Sequence, residues 1–240
     1  MWGNKTVSVI FPAAKDSKVL GGAIKGFDST GYVDEVIVVD SGAEPTMIEE
    51  IRKTRAKLIK GAHLLGETIK EGIKQTKADL IIIAEPNGAF KGQDVLKLLS
   101  YSDDFDTVFG SRTHLPMLEK ESGMVFLRRF INFSLGKLIN LLYFSSPLTD
   151  VGCTLRLTNR KGWNKIIKDC KSKDWIFLTE WVIVAAKNKV RYKEIPINYS
   201  RPKEKSYSNI GFFEQAGRGL KIFFYILKNG NAQAATNHPE

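Results

Sequence analysis

Four short apolar runs, each stopped by turn-forming or polar residues, punctuate the first half of the chain. Val7-Ser8-Val9-Ile10-Phe11 stops at Pro12-Ala13, and Val36-Ile37-Val38-Val39 at Asp40-Ser41-Gly42. Leu80-Ile81-Ile82-Ile83 leads to Glu85-Pro86-Asn87-Gly88, and Asp106-Thr107-Val108-Phe109 to Gly110-Ser111-Arg112. Unbroken apolar runs of this length predict strands covered on both faces, as in a parallel sheet. Helical periodicity fills the intervals at 17–27, 45–56, 65–76 and 93–101. The alternation predicts an α/β fold with an open, mostly parallel sheet of right-handed crossovers. In such sheets ligands bind beyond the carboxyl ends of the strands, where the polar residues gather in this chain.

The second half reads differently. Residues 123–143 predict a long amphipathic helix with Leu127, Phe130, Ile131, Leu135, Leu138, Leu141 and Leu142 on its apolar side. Helices are expected near 159–170 and 178–188, followed by a strand ending in Glu194-Ile195-Pro196-Ile197. A last amphipathic helix over 209–228 carries Phe213, Ala216, Leu220, Phe223, Phe224 and Leu227 on one stripe. Residues 229–240, small and polar, read as a disordered tail.

The 240 residues are 43% hydrophobic, enough for a sizeable core, which excludes wholesale disorder. The formal charge of +10 is unevenly spread, with a net +7 on residues 186–228. That stretch suits an anionic membrane surface, a nucleic acid or a phosphorylated substrate. Nucleic acid is the poorest fit, because the aromatics follow a helical stripe rather than interleaving with the charges. Cys153 and Cys170 have neither the number nor the spacing of a disulfide framework or zinc site, so a reducing, cytoplasmic setting is expected. No apolar stretch is long enough to span a bilayer, which leaves a cytoplasmic protein, free or attached to the cytoplasmic membrane face.

The order of these motifs resembles the family 2 glycosyltransferases of the GT-A fold, in the branch of polyprenyl-phosphate sugar synthases. The resemblance covers residues 5–207, taken as one domain ending at 208. Beyond the strand ends it includes Gly66-Glu67-Thr68-Ile69 at a Gly-rich helix start and Thr149-Asp150-Val151-Gly152-Cys153-Thr154-Leu155-Arg156-Leu157. Glu194-Ile195-Pro196-Ile197-Asn198-Tyr199 completes it. It implies an inverting, metal-assisted transfer of a sugar from a UDP- or GDP-linked donor to a polyprenyl-phosphate or saccharide acceptor. Pro12, Ala13, Asp40, Gly66, Glu85 and Arg112 become the expected nucleotide-binding residues. Asp150 and Arg156 are expected to be catalytic, Asp150 as base toward a hydroxyl acceptor or as an orienting group toward a phosphate one.

Arg129, Arg201, Lys203 and Lys205 are expected to hold the diphosphate or the acceptor, since guanidinium and ammonium groups match phosphate. The family's metal motif, Asp-x-Asp or Glu-Pro-Asp, reads Glu85-Pro86-Asn87 here. Glu85 and Asn87 would then bind Mg²⁺ or Mn²⁺ with one negative charge fewer. That loss opens a second reading, a catalytically weakened nucleotide-sugar-binding protein of the same fold. The amphipathic helices suit either a membrane surface or burial against the sheet or a homodimer partner.

Overall fold

A computed structural model describes residues 1–13, 19–42, 45–114, 116, 126–200 and 212–234. Among these residues a seven-stranded sheet runs in the order β3-β2-β1-β4-β6-β5-β7. The strands are β1 (Val7–Ala13), β2 (Glu35–Asp40), β3 (Lys57–Lys60), β4 (Leu80–Ile83), β5 (Thr107–Ser111), β6 (Arg156–Asn159) and β7 (Tyr192–Pro196). The helices are α1 (Leu20–Asp28), α2 (Pro45–Arg52), α3 (Leu65–Gln75), α4 (Asp94–Leu99), α5 (Phe126–Tyr143), α6 (Arg160–Ile167), α7 (Phe177–Lys187) and α8 (Phe212–Ala234).

The apolar runs become strands buried on both faces, as their composition requires. Side chains alternate along them, so one strand feeds two cores. Val7, Val9 and Phe11 pack with Leu20, Ile24, Phe27 and Leu98 on one face. Ile10, Ile37, Ile81 and Ile83 pack with Ile69, Ile139 and Trp181 on the other.

Two strands depart from the sequence reading. The edge strand β3, Lys-Leu-Ile-Lys, has only two apolar residues, too few to stand out. β6 lies antiparallel between β4 and β5, so these two parallel strands are not neighbours. Its sequence, Arg-Leu-Thr-Asn, hides a buried strand behind polar residues. The reversal places the turn preceding β6 at the same sheet end as the carboxyl termini of β4 and β5.

The stripes assigned to the two amphipathic helices are also corrected. On α5 the buried residues are Asn132, Leu135, Gly136 and Ile139. Phe126, Phe130, Phe133 and Leu141 face outward, and Phe144, just past the helix, is 94% exposed. On α8 the buried apolar side chains are Ile222 and Ile226, while Phe213, Leu220, Phe223 and Phe224 are exposed. The helix does not stop at Lys228 but continues to Ala234, across the start of the expected tail. No described helix is long and apolar enough to cross a membrane.

Candidate active site

Pro12 and Ala13 end β1 beside Asp40 at the end of β2, with Ala13 and Asp40 in register. The Ser41 amide donates to the Ala13 carbonyl at 2.9 Å. Asp40 Oδ1 accepts from the Gly42 amide at 2.8 Å, closing a turn in which Gly42 has φ +111°, a conformation suited to glycine. These residues mark one edge of the strand-end surface. Gly66, expected at the nucleotide, stands at a tight packing contact. A Cβ there would lie 2.6 Å from Phe177 Cβ and 2.8 Å from the Lys173 carbonyl oxygen, so α3 approaches the start of α7 only because the side chain is missing.

Among the described residues two cavities open farther along, on either side of α5. One, of about 100 Å³, is walled by Glu85, Arg112, Arg128, Asn132, Thr154, Thr179 and Arg218, with Ile131 and Trp175 among its apolar contacts. The other, of about 470 Å³, is walled by Phe126, Arg129, Phe130 and Phe133 together with Thr113, His114, Thr149 and Glu194. Helical geometry explains the division. Arg128, Ile131 and Asn132 share one face at i, i+3 and i+4, and Phe126, Arg129, Phe130 and Phe133 share the next.

Asp150 and Arg112 form a pair whose side chains are both fully buried. Asp150 Oδ2 accepts from Arg112 Nε at 2.8 Å and from the Arg112 amide at 2.9 Å, and Oδ1 accepts from Arg112 Nη2 at 2.9 Å and from the Gly152 amide at 3.3 Å. Burial opposes the charge on Asp150, but the Arg112 guanidinium and its hydrogen bonds prevail and hold the carboxyl below its usual range. Burial likewise opposes the charge on Arg112, which Asp150 holds strongly protonated. In this geometry Asp150 anchors an arginine rather than standing ready to take a proton.

The loop carrying Asp150 is held in turn by Glu194 on β7. Its carboxylate accepts from the Thr149 amide (2.8 Å), the Thr149 hydroxyl (2.7 Å) and the Asp150 amide (2.7 Å). Burial, only partly offset by these bonds, raises Glu194 to about 7.

The sequence placed Arg156 at the reaction centre, and the structure places it in the core. It is 1% exposed, lies over the rings of Phe109 and Trp181, and donates to the carbonyls of Leu178 and Cys153. Starting β6 on the inner side of the sheet end turns it inward, and burial pushes it down to about 10. Arg129 donates to the Thr113 carbonyl at 3.0 Å and lines the phenylalanine-rich cavity. Arg201, Lys203 and Lys205 lie outside the described residues. Cys153 is a buried thiol raised to about 12 by burial, an inert core residue.

The expected metal ligands are Glu85 and Asn87, both almost fully buried. Glu85 Oε1 accepts from the Thr154 hydroxyl at 2.5 Å, and Oε2 accepts from Asn87 Nδ2 at 2.7 Å. Asn87 Oδ1 accepts from the Ala89 amide at 3.0 Å. Mg²⁺ and Mn²⁺ bind through several hard oxygen ligands. Here Asn87 turns its N–H, not its oxygen, toward the one carboxylate, and both carboxylate oxygens already accept hydrogen bonds. Among the described residues no three His, Cys, Asp or Glu side chains come together to hold an ion. The pair as arranged does not fit a divalent cation.

No protein-family model matches the chain. It is 30% identical over 204 residues to an uncharacterized protein of Methanocaldococcus jannaschii, covering 80% of each chain. It is 25% identical to the UDP-N-acetylglucosamine–dolichyl-phosphate N-acetylglucosaminyltransferase of Methanococcus voltae, over 93% of this chain and 96% of that one. Identity to the dolichyl-phosphate beta-glucosyltransferase of Saccharomyces cerevisiae is 24%, over 69% of this chain but 56% of the yeast enzyme.

The chain belongs to the family 2 glycosyltransferases. The fold of this glycosyltransferase agrees with that membership. Glucosyl-3-phosphoglycerate synthase from Mycobacterium tuberculosis, solved with Mn²⁺, UDP and glucosyl-3-phosphoglycerate, aligns with a TM-score of 0.68 at 12% identity, over 95% of this chain and 80% of that one. The sheet is therefore that of the GT-A fold.

Sequence reasoning did not single out Arg128, Thr154, Arg218 or Glu194 as site residues. A signal existed for Arg128, because adjacent residues on a helix point about 100° apart, so Arg128 and Arg129 had to serve different surfaces. Glu194 opened a motif of the resemblance without a role assigned to it, and Arg218 carried no such signal, since its position depends on where α8 docks.

Proposed function

We propose that this glycosyltransferase is an inverting enzyme that moves a sugar from a UDP-linked donor to a polyprenyl-phosphate acceptor at a membrane surface. The observation that carries this reading is the arrangement about α5: a cavity lined by three guanidinium groups at the sheet end on one side, and a phenylalanine-lined cavity holding Arg129 on the other. The first suits a diphosphate, and the second suits an isoprenoid with a phosphate head. UDP is favoured over GDP because the M. voltae relative is named for a UDP sugar and the aligned M. tuberculosis structure holds UDP. Two relatives named for dolichyl-phosphate acceptors support the lipid.

The state of Asp150 favours the same acceptor. A hydroxyl nucleophile needs a base to remove its proton, whereas a phosphate monoester arrives ionised. An acceptor phosphate oxygen attacks the anomeric carbon, the bond to the donor phosphate breaks, and its electron pair leaves on UDP. In this single displacement Asp150 positions Arg112, and no covalent nucleophile is needed.

The outward stripe supports membrane contact. Phe126, Phe130, Phe133 and Leu141 on α5, with Phe144 just beyond it, are exposed, as are Leu220, Phe223 and Phe224 on α8. Phe144 also has φ +47° where a helix end ordinarily takes glycine, so a bulky apolar group is held exposed at some backbone strain. The test is release of UDP from UDP-glucose and UDP-N-acetylglucosamine with dolichyl phosphate in vesicles. Release with product extracted into the lipid supports the reading. Nucleotide binding without turnover on either donor, with or without acceptor, would favour the weakened, binding-only protein.

A further inference from the structure

We propose that this chain holds its donor diphosphate with guanidinium groups, those of Arg112, Arg128 and Arg218, in place of a divalent cation. The inference rests on the nucleotide-sugar reading above and concerns how that site neutralises charge.

The Glu85–Asn87 contact is its starting point. Two carboxylates whose oxygens stood 2.7 Å apart would repel one another and call for a cation or a shared proton between them. An amide in the second position removes both the repulsion and the need. Asn87 donates to Glu85, accepts from the Ala89 amide, and leaves the motif closed upon itself, with Thr154 completing Glu85. Turning the Asn87 oxygen toward a cation held by Glu85 would break both of the buried hydrogen bonds that Asn87 makes.

The positive charge is found instead on the cavity wall. Arg112, Arg128 and Arg218 line it, and among the described residues Glu85 is the one carboxylate that lines it with them. Asp150 matches Arg112, but only through Nε and Nη2, and Glu214 meets Arg218 at 2.7 Å on the exposed side of α8. Arg112 Nη1 is buried with no hydrogen-bond partner among the described residues, on a residue 1% exposed. Arg112 lines the cavity, and a guanidinium N–H without a partner is a donor awaiting an acceptor. Burial, then the charge of Arg112, push Arg128 below its ordinary value, a strain that an anion placed between the two would relieve. Arg218 is fixed over the Trp175 ring at 4.8 Å. When the bond to the sugar breaks, the leaving diphosphate gains a negative charge, and paired N–H donors can take it up without a metal.

Calorimetric titration of UDP into the full chain, once in excess EDTA and once in MnCl2, tests the inference. Dissociation constants within about threefold of each other are expected. Arg128→Gln should weaken binding in EDTA by roughly tenfold or more, the loss typical of a charge-assisted hydrogen bond. Arg218→Gln, on a partly exposed helix surface, supplies the same test should the Arg128 variant fold poorly. Asn87→Asp should weaken binding in EDTA and let Mn²⁺ restore it. UDP binding by the unaltered chain only when Mn²⁺ is present would overturn the inference while leaving the transferase reading intact, and so would undiminished binding by both arginine variants. No binding of UDP or GDP in either buffer would overturn both.

Discussion

Replacing Asp150 by asparagine would strand a buried arginine. Both side chains of the Asp150–Arg112 pair have no solvent exposure, and the carboxylate accepts four hydrogen bonds, three of them from Arg112. An amide keeps one acceptor and turns its N–H₂ toward a guanidinium that can only donate. Breaking a buried pair from one side costs about 3–5 kcal/mol, because the remaining charge is left uncompensated. For a chain of 240 residues each kcal/mol moves the melting temperature by roughly 2–4 °C, so a fall of roughly 6–20 °C is expected. Thermal and urea unfolding followed by circular dichroism, without nucleotide, measures this directly. The double variant Asp150→Leu with Arg112→Met, which removes both charges, should recover most of the loss. An Asp150→Asn protein within about 1 kcal/mol of the unaltered chain would refute the anchoring role. Loss of turnover without loss of stability would return Asp150 to the part of general base.

Other consequences are equally direct. Gly66→Ala should destabilise by about 1–3 kcal/mol through overpacking against Phe177 and Lys173, with UDP affinity unchanged in the folded fraction; a selective loss of affinity would restore the nucleotide role. Glu194 titrates near 7 in the native state against 4.5 unfolded, so the native chain retains a proton that the unfolded chain has released between those values. Its contribution to stability is therefore full below pH 4.5 and is lost as the pH rises to 7, by up to ~3 kcal/mol. Urea midpoints at pH 5 and pH 7 should differ less in Glu194→Gln, and an unchanged pH slope would contradict the assignment. Phe130→Glu with Phe224→Glu should abolish co-sedimentation with anionic vesicles while changing stability by less than about 0.5 kcal/mol. Phe144→Gly should raise stability by about 1 kcal/mol and weaken the same association, since it relieves the positive φ and removes the exposed ring.

Much of the framework was legible in the pattern of residues. Strands β1, β2, β4 and β5 announce themselves because a strand covered on both faces admits few polar positions, and their polar termini pointed to the ligand-binding edge. β3 and β6 were not legible: one is a short edge strand, the other is apolar only where its neighbours make it so. The helices existed where periodicity put them, but their orientation did not follow from it. Phe130, Leu141, Phe223 and Phe224 look like core residues on a helical wheel and lie outside, because α5 and α8 bury smaller faces around Leu135, Ile139, Ile222 and Ile226.

The arginines show most clearly where the two levels of description divide. A sequence counts guanidinium groups and says that they can bind phosphate; it determined here the α/β framework, the strand ends and the loss of a carboxylate at Asn87. Whether a given arginine serves phosphate depends on its partners, and these come from distant parts of the chain. The antiparallel insertion of β6 turned Arg156 into the core beneath Trp181, the 149–150 loop supplied Arg112 with Asp150, and the docking of α8 brought Arg218 to the cavity wall. Charge acts over a few ångströms, and only the folded chain decides which charges lie within that distance.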